Sequence, residues 1–140
     1  MIRPLLNGEE HLIVNDPVRP HIPIEQRTGQ GRAIRVLDQE GKIAAVICTA
    51  LCHTVPSTEE ELFEYADPMG DVLVAYTVWS YSPGAGRTIV NELRTHAQAE
   101  NIRRLVTLSP LTEMAERFHI RNGARLIGRY DSAQNFEYAL

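Results

Sequence analysis

One stretch of the 140-residue chain decides its fold: residues 72–100, VLVAYTVWSYSPGAGRTIVNELRTHAQAE. Its first ten residues are mostly apolar, β-branched or aromatic, which is typical of a buried strand. A short turn with two glycines, Gly84 and Gly86, follows. Apolar residues then recur at the spacing of one helix face, at Ile89, Val90, Leu93 and Ala97. The stretch therefore predicts a strand, a glycine-bearing turn and an amphipathic helix.

The residues before this stretch predict a hairpin and a short helix. Residues 32–37 and 42–51 are rich in apolar side chains, and the turn residues 38–41 separate them. Residues 57–60, Ser-Thr-Glu-Glu, have the pattern of a capping box, which marks a helix start. We therefore expect two antiparallel strands followed by a helix.

The residues after the stretch predict three more strands and one more helix. Residues 103–108 are β-prone, and Ser109-Pro110 is a favourable helix start, with the serine as N-cap and the proline at the first helical position. Asn122-Gly123 predicts the end of that helix. The closing pair of strands is predicted at 124–130 and 134–140. The order ββαβαβαββ favours an α/β domain with a mixed, mostly antiparallel sheet flanked by helices.

Composition and charge set limits on the partners. The chain is 44% hydrophobic and 23% charged, with a net charge of −4, so it offers no general attraction for nucleic acid or an anionic membrane. It has no apolar run long enough to span a bilayer and no leader, so we expect a cytoplasmic protein. Residues 1–30 show no sustained period and predict an irregular segment packed on a domain of residues 31–140. A homodimer paired through sheet edges is a further possibility.

The cysteines do not predict a metal site. Cys48 and Cys52 precede His53 at a spacing that resembles half of a zinc site. No second pair of ligands is present to complete the four-coordination that structural zinc requires. We therefore expect two buried thiols and no metal.

The glycine-bearing turn is suited to binding an anion. Gly84 and Gly86 have no side chains, so a ligand can approach the backbone amides closely. These amides open a helix, where unpaired N–H groups and the helix dipole favour a pyrophosphate. Arg87 adds a charged donor. The alternative is that the glycines serve only to turn the chain. The stretch lacks the third glycine and later acidic residue of a dinucleotide fingerprint, and the ending of a P-loop.

This turn resembles the coenzyme A loop of the GNAT superfamily, Gln/Arg-x-x-Gly-x-Gly/Ala. The chain has Tyr-Ser-Pro-Gly-Ala-Gly at residues 81–86, with Tyr81 in place of Gln or Arg. The resemblance implies a GNAT fold and a coenzyme A thioester, malonyl-CoA or acetyl-CoA, as the small-molecule substrate. The residues that it places against the coenzyme are Tyr76, Val78, Trp79, Ser82, Gly84, Ala85, Gly86, Arg87 and Asn122.

Within that superfamily the chain is most similar to the catalytic part of malonyl-CoA decarboxylase. The similarity runs from about Gly31 to the C-terminus, and its more specific parts are Thr-Leu-Ser-Pro at 107–110 and Phe-His-Ile-Arg-Asn-Gly-Ala at 118–124. The resemblance implies catalytic roles for Ser109 and His119. The helical N-terminal domain of that family and its long stretch between the serine and histidine motifs have no counterpart here.

The two implied residues suit the loss of CO2 from a malonyl thioester. A serine hydroxyl holds a carboxylate or an enolate oxygen, and a histidine that titrates near neutrality gives the carbon a proton. Ser109 and His119 are ten positions apart, which along a continuous helix is roughly 15 Å. We therefore expect no directly bonded dyad, unless the first turn after Pro110 is irregular. The structural alternatives are that Ser109 is only an N-cap and that His119 is a partly exposed helix residue.

Three functions follow as hypotheses. The first is an enzyme that converts malonyl-CoA to acetyl-CoA and CO2. The second is an N-acetyltransferase that moves an acetyl or other acyl group from coenzyme A to an amine. The third is a non-catalytic module that binds acyl-CoA.

Overall fold

We describe the protein from a computed structural model that covers all 140 residues. The strands are β1 (Ile2–Pro4), β2 (Arg32–Gln39), β3 (Lys42–Cys52), β4 (Val72–Ser80), β5 (Arg104–Thr107), β6 (Arg125–Arg129) and β7 (Gln134–Tyr138). The α-helices are α1 (Glu59–Glu64), α2 (Ala85–Ala99) and α3 (Glu113–Arg121), and two 3-10 helices cover Glu10–Asn15 and Ile24–Gln26. None of the helices combines the length and the apolar character needed to cross a membrane.

The seven strands form one sheet in the order β1-β2-β3-β4-β5-β7-β6. Every neighbouring pair is antiparallel except β4 and β5, which α2 connects as a crossover and which run parallel. The predicted fold class, a mostly antiparallel sheet flanked by helices, is confirmed. The predicted order of elements from β2 to β7 is also the observed one.

Two hydrophobic clusters cover the two faces of the sheet, because successive side chains along each strand point to opposite sides. On one face, Val46 and Cys48 of β3 pack with Leu62 of α1. On the other face, Ile47 packs with the apolar side of α2, which includes Leu93. Both cysteines are buried, as predicted, and burial raises the pKa of each thiol to about 12.

Strands β4 and β5 pair for four residues only and then separate. Their pairing runs from Val72 opposite Arg104 to Ala75 opposite Thr107. Beyond that point β4 continues along β3, with a register shift that leaves Tyr76 without an opposite residue. The open wedge between β4 and β5 is the feature that positions the site.

The predicted helix start at Ser109 is wrong. Helix α3 begins at Glu113, and its N-cap is Thr112, whose side chain accepts a hydrogen bond from the Ala115 amide. The backbone of Ser109 instead exchanges two hydrogen bonds with Gln134 of β7, at 2.8 and 2.9 Å. This tertiary pairing holds residues 109–112 out of a helix and cancels the local capping preference. The predicted end is confirmed: α3 stops at Arg121 and a positive φ follows at residue 123.

The first 30 residues contain a strand that the sequence did not predict. Strand β1 lies antiparallel to β2 at the edge of the sheet. The segment after it is fixed by an ion pair between Arg27 and Asp16, whose charged atoms are 2.8 Å apart and whose side chains are completely buried. The Arg27 guanidinium also donates to the carbonyls of Arg19 and Ile22. Arg27 Nη1 also lies 3.5 Å from Sγ of Cys48, and the Thr77 hydroxyl donates to Asp16, so the buried network joins the segment to the sheet.

We expect the substitution Arg27→Met to lower the free energy of unfolding by about 3–5 kcal/mol, because Asp16 would stay buried without its partner. The matched control is Arg103→Met, which breaks an ion pair with Asp71 whose two side chains are more than half exposed. That change should cost less than about 1 kcal/mol. Equilibrium urea denaturation measures both, and equal losses in the two variants would contradict the role of the buried pair.

Candidate active site

A cavity of about 630 Å³ occupies the wedge between β4 and β5 and extends beneath α2 and α3. Its wall is mostly apolar and includes Val78 and Trp79 of β4 and Phe118 of α3. Both residues that the sequence predicts to be catalytic, Ser109 and His119, line this cavity. The structure therefore brings together the two motifs that lie ten positions apart in the chain.

Gly86 links the cavity to the start of α2. Gly84 is the N-cap and has a φ of +81°, a conformation that other residues rarely adopt. The Ala85 amide donates to the Ser82 carbonyl, and the next intrahelical bond runs from Thr88 to Gly84. The amides of Gly86 and Arg87 between them have no acceptor in the protein. Two backbone donors are thus free at a helix N-terminus, where an anion is favoured.

Gly86 also has a packing role. A Cβ atom at this position would lie 3.0 Å from Cε1 of Phe118, which is closer than side chains normally approach. The start of α2 and the middle of α3 are therefore in close contact at this glycine. Two features therefore account for a glycine at position 86: the close contact with Phe118 and the free backbone amide.

Ser109 is held rigidly at the cavity wall. It is 3% exposed, and its Oγ lies 2.8 Å from the Oγ1 of Thr107, where either hydroxyl can be the donor. Thr107 also accepts a hydrogen bond from the Phe136 amide of β7. No hydrogen bond joins Ser109 to His119. The residues after Pro110 are irregular, which the sequence analysis left open, since α3 begins only four residues after Ser109.

His119 is buried, with 6% of its surface exposed. Its ring stacks on Phe136 with the centroids 5.3 Å apart, and its Nδ1 lies 2.6 Å from the hydroxyl of Tyr138. Burial lowers the pKa of His119 to about 4. This value lies below the near-neutral pKa that the sequence resemblance leads us to expect. The alternative of a partly exposed helix residue is wrong, because the side chain is buried.

The bond to Tyr138 determines which nitrogen of His119 carries the proton. Burial raises the pKa of Tyr138, so the hydroxyl keeps its proton, and it has no other hydrogen-bond partner. That proton is satisfied only if it is donated to Nδ1 of His119. The neutral imidazole then carries its own proton on Nε2, which bonds to no protein group. Tyr138 thus leaves an N–H donor available to a ligand.

The three residues of β4 that were predicted to contact the coenzyme all border the cavity, but their side chains have different surroundings. Val78 and Trp79 line it directly, and the indole Nε1 of Trp79 donates to the hydroxyl of Tyr81 at 2.9 Å. Tyr76 borders the cavity too, but its ring packs edge-on against Phe63 in the core and its carbonyl accepts from Arg19. The Tyr76 side chain therefore belongs mainly to the core.

The other predicted coenzyme contacts lie outside the cavity. Ser82, Gly84, Ala85 and Arg87 surround the free amides at the start of α2, and the Arg87 side chain is exposed there. Asn122 follows the last residue of α3 and does not line the cavity, and its side-chain amide donates to the Phe118 carbonyl of its own helix.

Sequence reasoning missed several residues of the cavity wall. Thr107 belongs to the Thr-Leu-Ser-Pro motif, whose likeness to the family is the signal that could have identified it, and Tyr138 lies in the predicted last strand. Thr77 lies within the predicted strand and gives no sign of its role. Pro17 and Val18 come from the segment without periodicity, and no local pattern places them at the cavity.

The arrangement of sheet, wedge and glycine turn defines the GNAT fold, as the sequence resemblance implies. A scan of protein-family models and a search of curated protein sequences find no match to this chain. The likeness is therefore carried by three-dimensional structure, and at the identities found it establishes the fold alone.

Three solved structures illustrate this likeness. The GphF GNAT-like decarboxylase in complex with isobutyryl-CoA matches with a TM-score of 0.74 at 16% identity, over 99% of this chain and 98% of that chain. A Bacillus subtilis acetyltransferase in complex with CoA matches with a TM-score of 0.68 at 10% identity, over 100% and 97% of the two chains. The ribosomal-protein-alanine N-acetyltransferase from Brucella melitensis matches with a TM-score of 0.65 at 15% identity, over 100% and 99%.

The lowered pKa of His119 predicts a pH-dependent stability. Between about pH 6.5 and the folded value of about 4, the unfolded chain takes up a proton that the folded chain does not. The contribution of His119 to the free energy of unfolding is therefore fully present above pH 6.5 and is lost as the pH falls through this window. We expect His119→Gln to remove this part of the loss, and urea denaturation from pH 4 to pH 8 measures it.

The control for that series is His11→Gln, at an exposed position. It should follow the wild-type profile, since His11 makes only a 3.2 Å contact with a surface carbonyl. Identical profiles for wild type and His119→Gln would contradict the buried, neutral imidazole. Imidazole nitrogen NMR also distinguishes the two tautomers, and we expect the proton on Nε2.

Proposed function

We propose that the protein binds an acyl-CoA with the diphosphate at the start of α2 and the acyl group in the cavity, and acts on that group as an enzyme. One observation carries this proposal: a mostly apolar cavity extends from two free backbone amides to the two polar residues Ser109 and His119. In an acyl-CoA, the pantetheine arm joins the anionic diphosphate to the reactive thioester, so one ligand of this class can reach both ends of the cavity. The similar proteins that hold CoA and isobutyryl-CoA support the same ligand class.

The anionic end of the ligand meets the amides of Gly86 and Arg87. These donors are fixed by the helix, so binding costs little ordering of the backbone. The Arg87 guanidinium is exposed beside them and adds a charge-assisted contact to a phosphate oxygen. The arm then passes Val78 and Trp79 along β4.

For the reaction we propose decarboxylation of malonyl-CoA or a close analogue. The bond between the carboxylate and the α-carbon breaks, CO2 leaves, and the electron pair remains as a thioester enolate. Ser109 donates a hydrogen bond to the carboxylate or to the enolate oxygen. One proton must then reach the α-carbon, and His119 is the titratable group at this point of the wall.

The proton that His119 delivers is taken up together with the substrate. Burial keeps the imidazole neutral, with a pKa of about 4. A malonyl carboxylate brings a negative charge next to it, which favours the imidazolium form. The added proton binds Nδ1, where the Tyr138 hydroxyl turns to accept it. Nε2 then gives its proton to the enolate carbon, and the imidazole returns to a neutral form. Binding of malonyl-CoA should accordingly weaken as the pH rises.

Acyl transfer to an amine is the second candidate. It is favoured by the comparisons, since most of the similar structures are acetyltransferases. Transfer requires a group that accepts a proton from the amine. The cavity wall contains no aspartate or glutamate, so His119 would have to serve as that base. The absence of a carboxylate base at the wall is our reason for placing decarboxylation first.

Incubation with malonyl-CoA alone separates the two reactions, because transfer needs an acceptor and decarboxylation does not. We expect acetyl-CoA and CO2 from the wild type. His119→Gln and Ser109→Ala should each lower kcat by about a hundredfold or more. The matched controls are His11→Gln and Ser132→Ala at exposed positions, which should leave kcat unchanged. Liquid chromatography of the CoA species measures the turnover.

Each alternative has its own result. Release of free CoA from acetyl-CoA only when amines are added would replace decarboxylation with acyl transfer. Stabilisation by acyl-CoA in thermal melts with no turnover in either assay would make the protein a binding module. No stabilisation by any CoA species would contradict the proposal as a whole.

A further inference from the structure

The loop Asp16–Arg19 forms part of the cavity wall although it lies far from the rest of the site in sequence. Pro17 and Val18 line the cavity together with Ser109 and His119. The loop is flanked by Ile13 and Ile22, which belong to the hydrophobic cluster on the face of the sheet that carries α1. Helix α2 covers the opposite face. The wedge between β4 and β5 is thus closed by α2 and α3 on one side and by this loop on the other.

Asp16 fixes the shape of the loop. Its Oδ1 accepts hydrogen bonds from the amides of Val18 and Arg19, at 2.8 and 3.0 Å, and from the Oγ1 of Thr77 at 2.8 Å. Its Oδ2 pairs with Arg27. Both carboxylate oxygens are engaged and the side chain is completely buried. The loop is therefore held against β4 in one conformation.

Arg19 joins the loop to both strands of the wedge. Its Nε donates to the Tyr76 carbonyl of β4, and its Nη2 donates to the Leu108 carbonyl just after β5, each at 3.0 Å. Both carbonyls lie just beyond the last paired residues of the two strands, Ala75 and Thr107. The third donor, Nη1, pairs with Glu59 of α1 at 2.8 Å. One guanidinium thus spans the wedge from strand to strand.

We propose that the loop Asp16–Arg19 is the end wall of an acyl chamber, where Pro17 and Val18 contact the acyl group and keep a second substrate from entering on that side. This inference rests on the proposed function. The two wall residues are apolar, and the polar groups behind them bond to one another. Glu59, an acid on this side, is already bound by Arg19 and His21. Neither Pro17 nor Val18 has a side-chain group that could bind an amine, and the one acid named on this side already has two partners. The chamber suits a short acyl-CoA that reacts without an acceptor.

Val18 is the residue with which the wall can be tested. Calorimetry measures the affinity for free CoA, acetyl-CoA, isobutyryl-CoA and hexanoyl-CoA. For each acyl-CoA, we take the ratio of its affinity to that of free CoA. We expect Val18→Phe to lower this ratio for isobutyryl-CoA by roughly tenfold, and Val18→Ala to shift the preference towards longer chains. The matched control is Val14→Phe, because Val14 lies four residues earlier in the same segment and is 78% exposed. It should not change the ratio.

The results separate two failures. Equal ratios in the wild type, Val18→Phe and Val18→Ala, with CoA binding intact, would overturn the wall and leave the proposed function standing. Failure of the wild type to bind any CoA species would overturn the proposed function and the wall with it.

A second measurement does not require the protein to accommodate a side chain larger than valine at position 18. The native cysteines are both buried, so Val18→Cys introduces one thiol that a small alkylating reagent reaches through the cavity. We expect acetyl-CoA to slow alkylation of Val18→Cys at least tenfold more than free CoA does. Alkylation of Val14→Cys should be unaffected by either ligand. If Val18→Cys were alkylated at the same rate with acetyl-CoA as with free CoA, the proposed contact between the acyl group and the loop would be wrong.

Discussion

Strands β4 and β5 stop pairing after Ala75 and Thr107, and the site depends on the gap that this leaves. A parallel pair that separates exposes carbonyls and amides, which cannot stay buried without partners. Arg19 satisfies one carbonyl on each side, and the paired backbone of Ser109 and Gln134 continues the pairing of β5 with β7 beyond the end of β5. The gap is thereby a stable part of the fold. It is large enough to receive a ligand because no other side chain fills it.

The same separation determines the chemistry of the site. It places Ser109 beyond the end of β5, where the serine faces the cavity, and it leaves room for α3 to bring His119 to the opposite wall. His119 is enclosed by Phe136 and by Tyr138, so its imidazole is neutral and has a fixed tautomer. A neutral donor in an apolar cavity responds to the charge of whatever binds. In the proposed reaction, the negative charge of a malonyl group next to His119 raises the pKa of the imidazole and so favours uptake of the proton.

Sequence patterns predicted the six strands β2 to β7, because the strands and helices after residue 31 have clear apolar or helical patterns, but they did not predict the edge strand β1. The motifs around Ser109 and His119 also predicted that these residues share a site. Local preference failed where a distant partner decided the outcome: the pairing with Gln134 moved the start of α3, and burial by the last strand made His119 neutral. The loop Asp16–Arg19 gave no signal, since the bonds that hold it to the two strands join residues more than fifty positions apart.

The most direct test is a crystal structure of the protein with bound CoA. We expect the diphosphate within hydrogen-bond distance of the Gly86 and Arg87 amides, the pantetheine arm between β4 and β5, and the thiol in the cavity lined by Ser109 and His119. A diphosphate bound elsewhere on the surface, with the wedge between the strands left empty, would contradict the account.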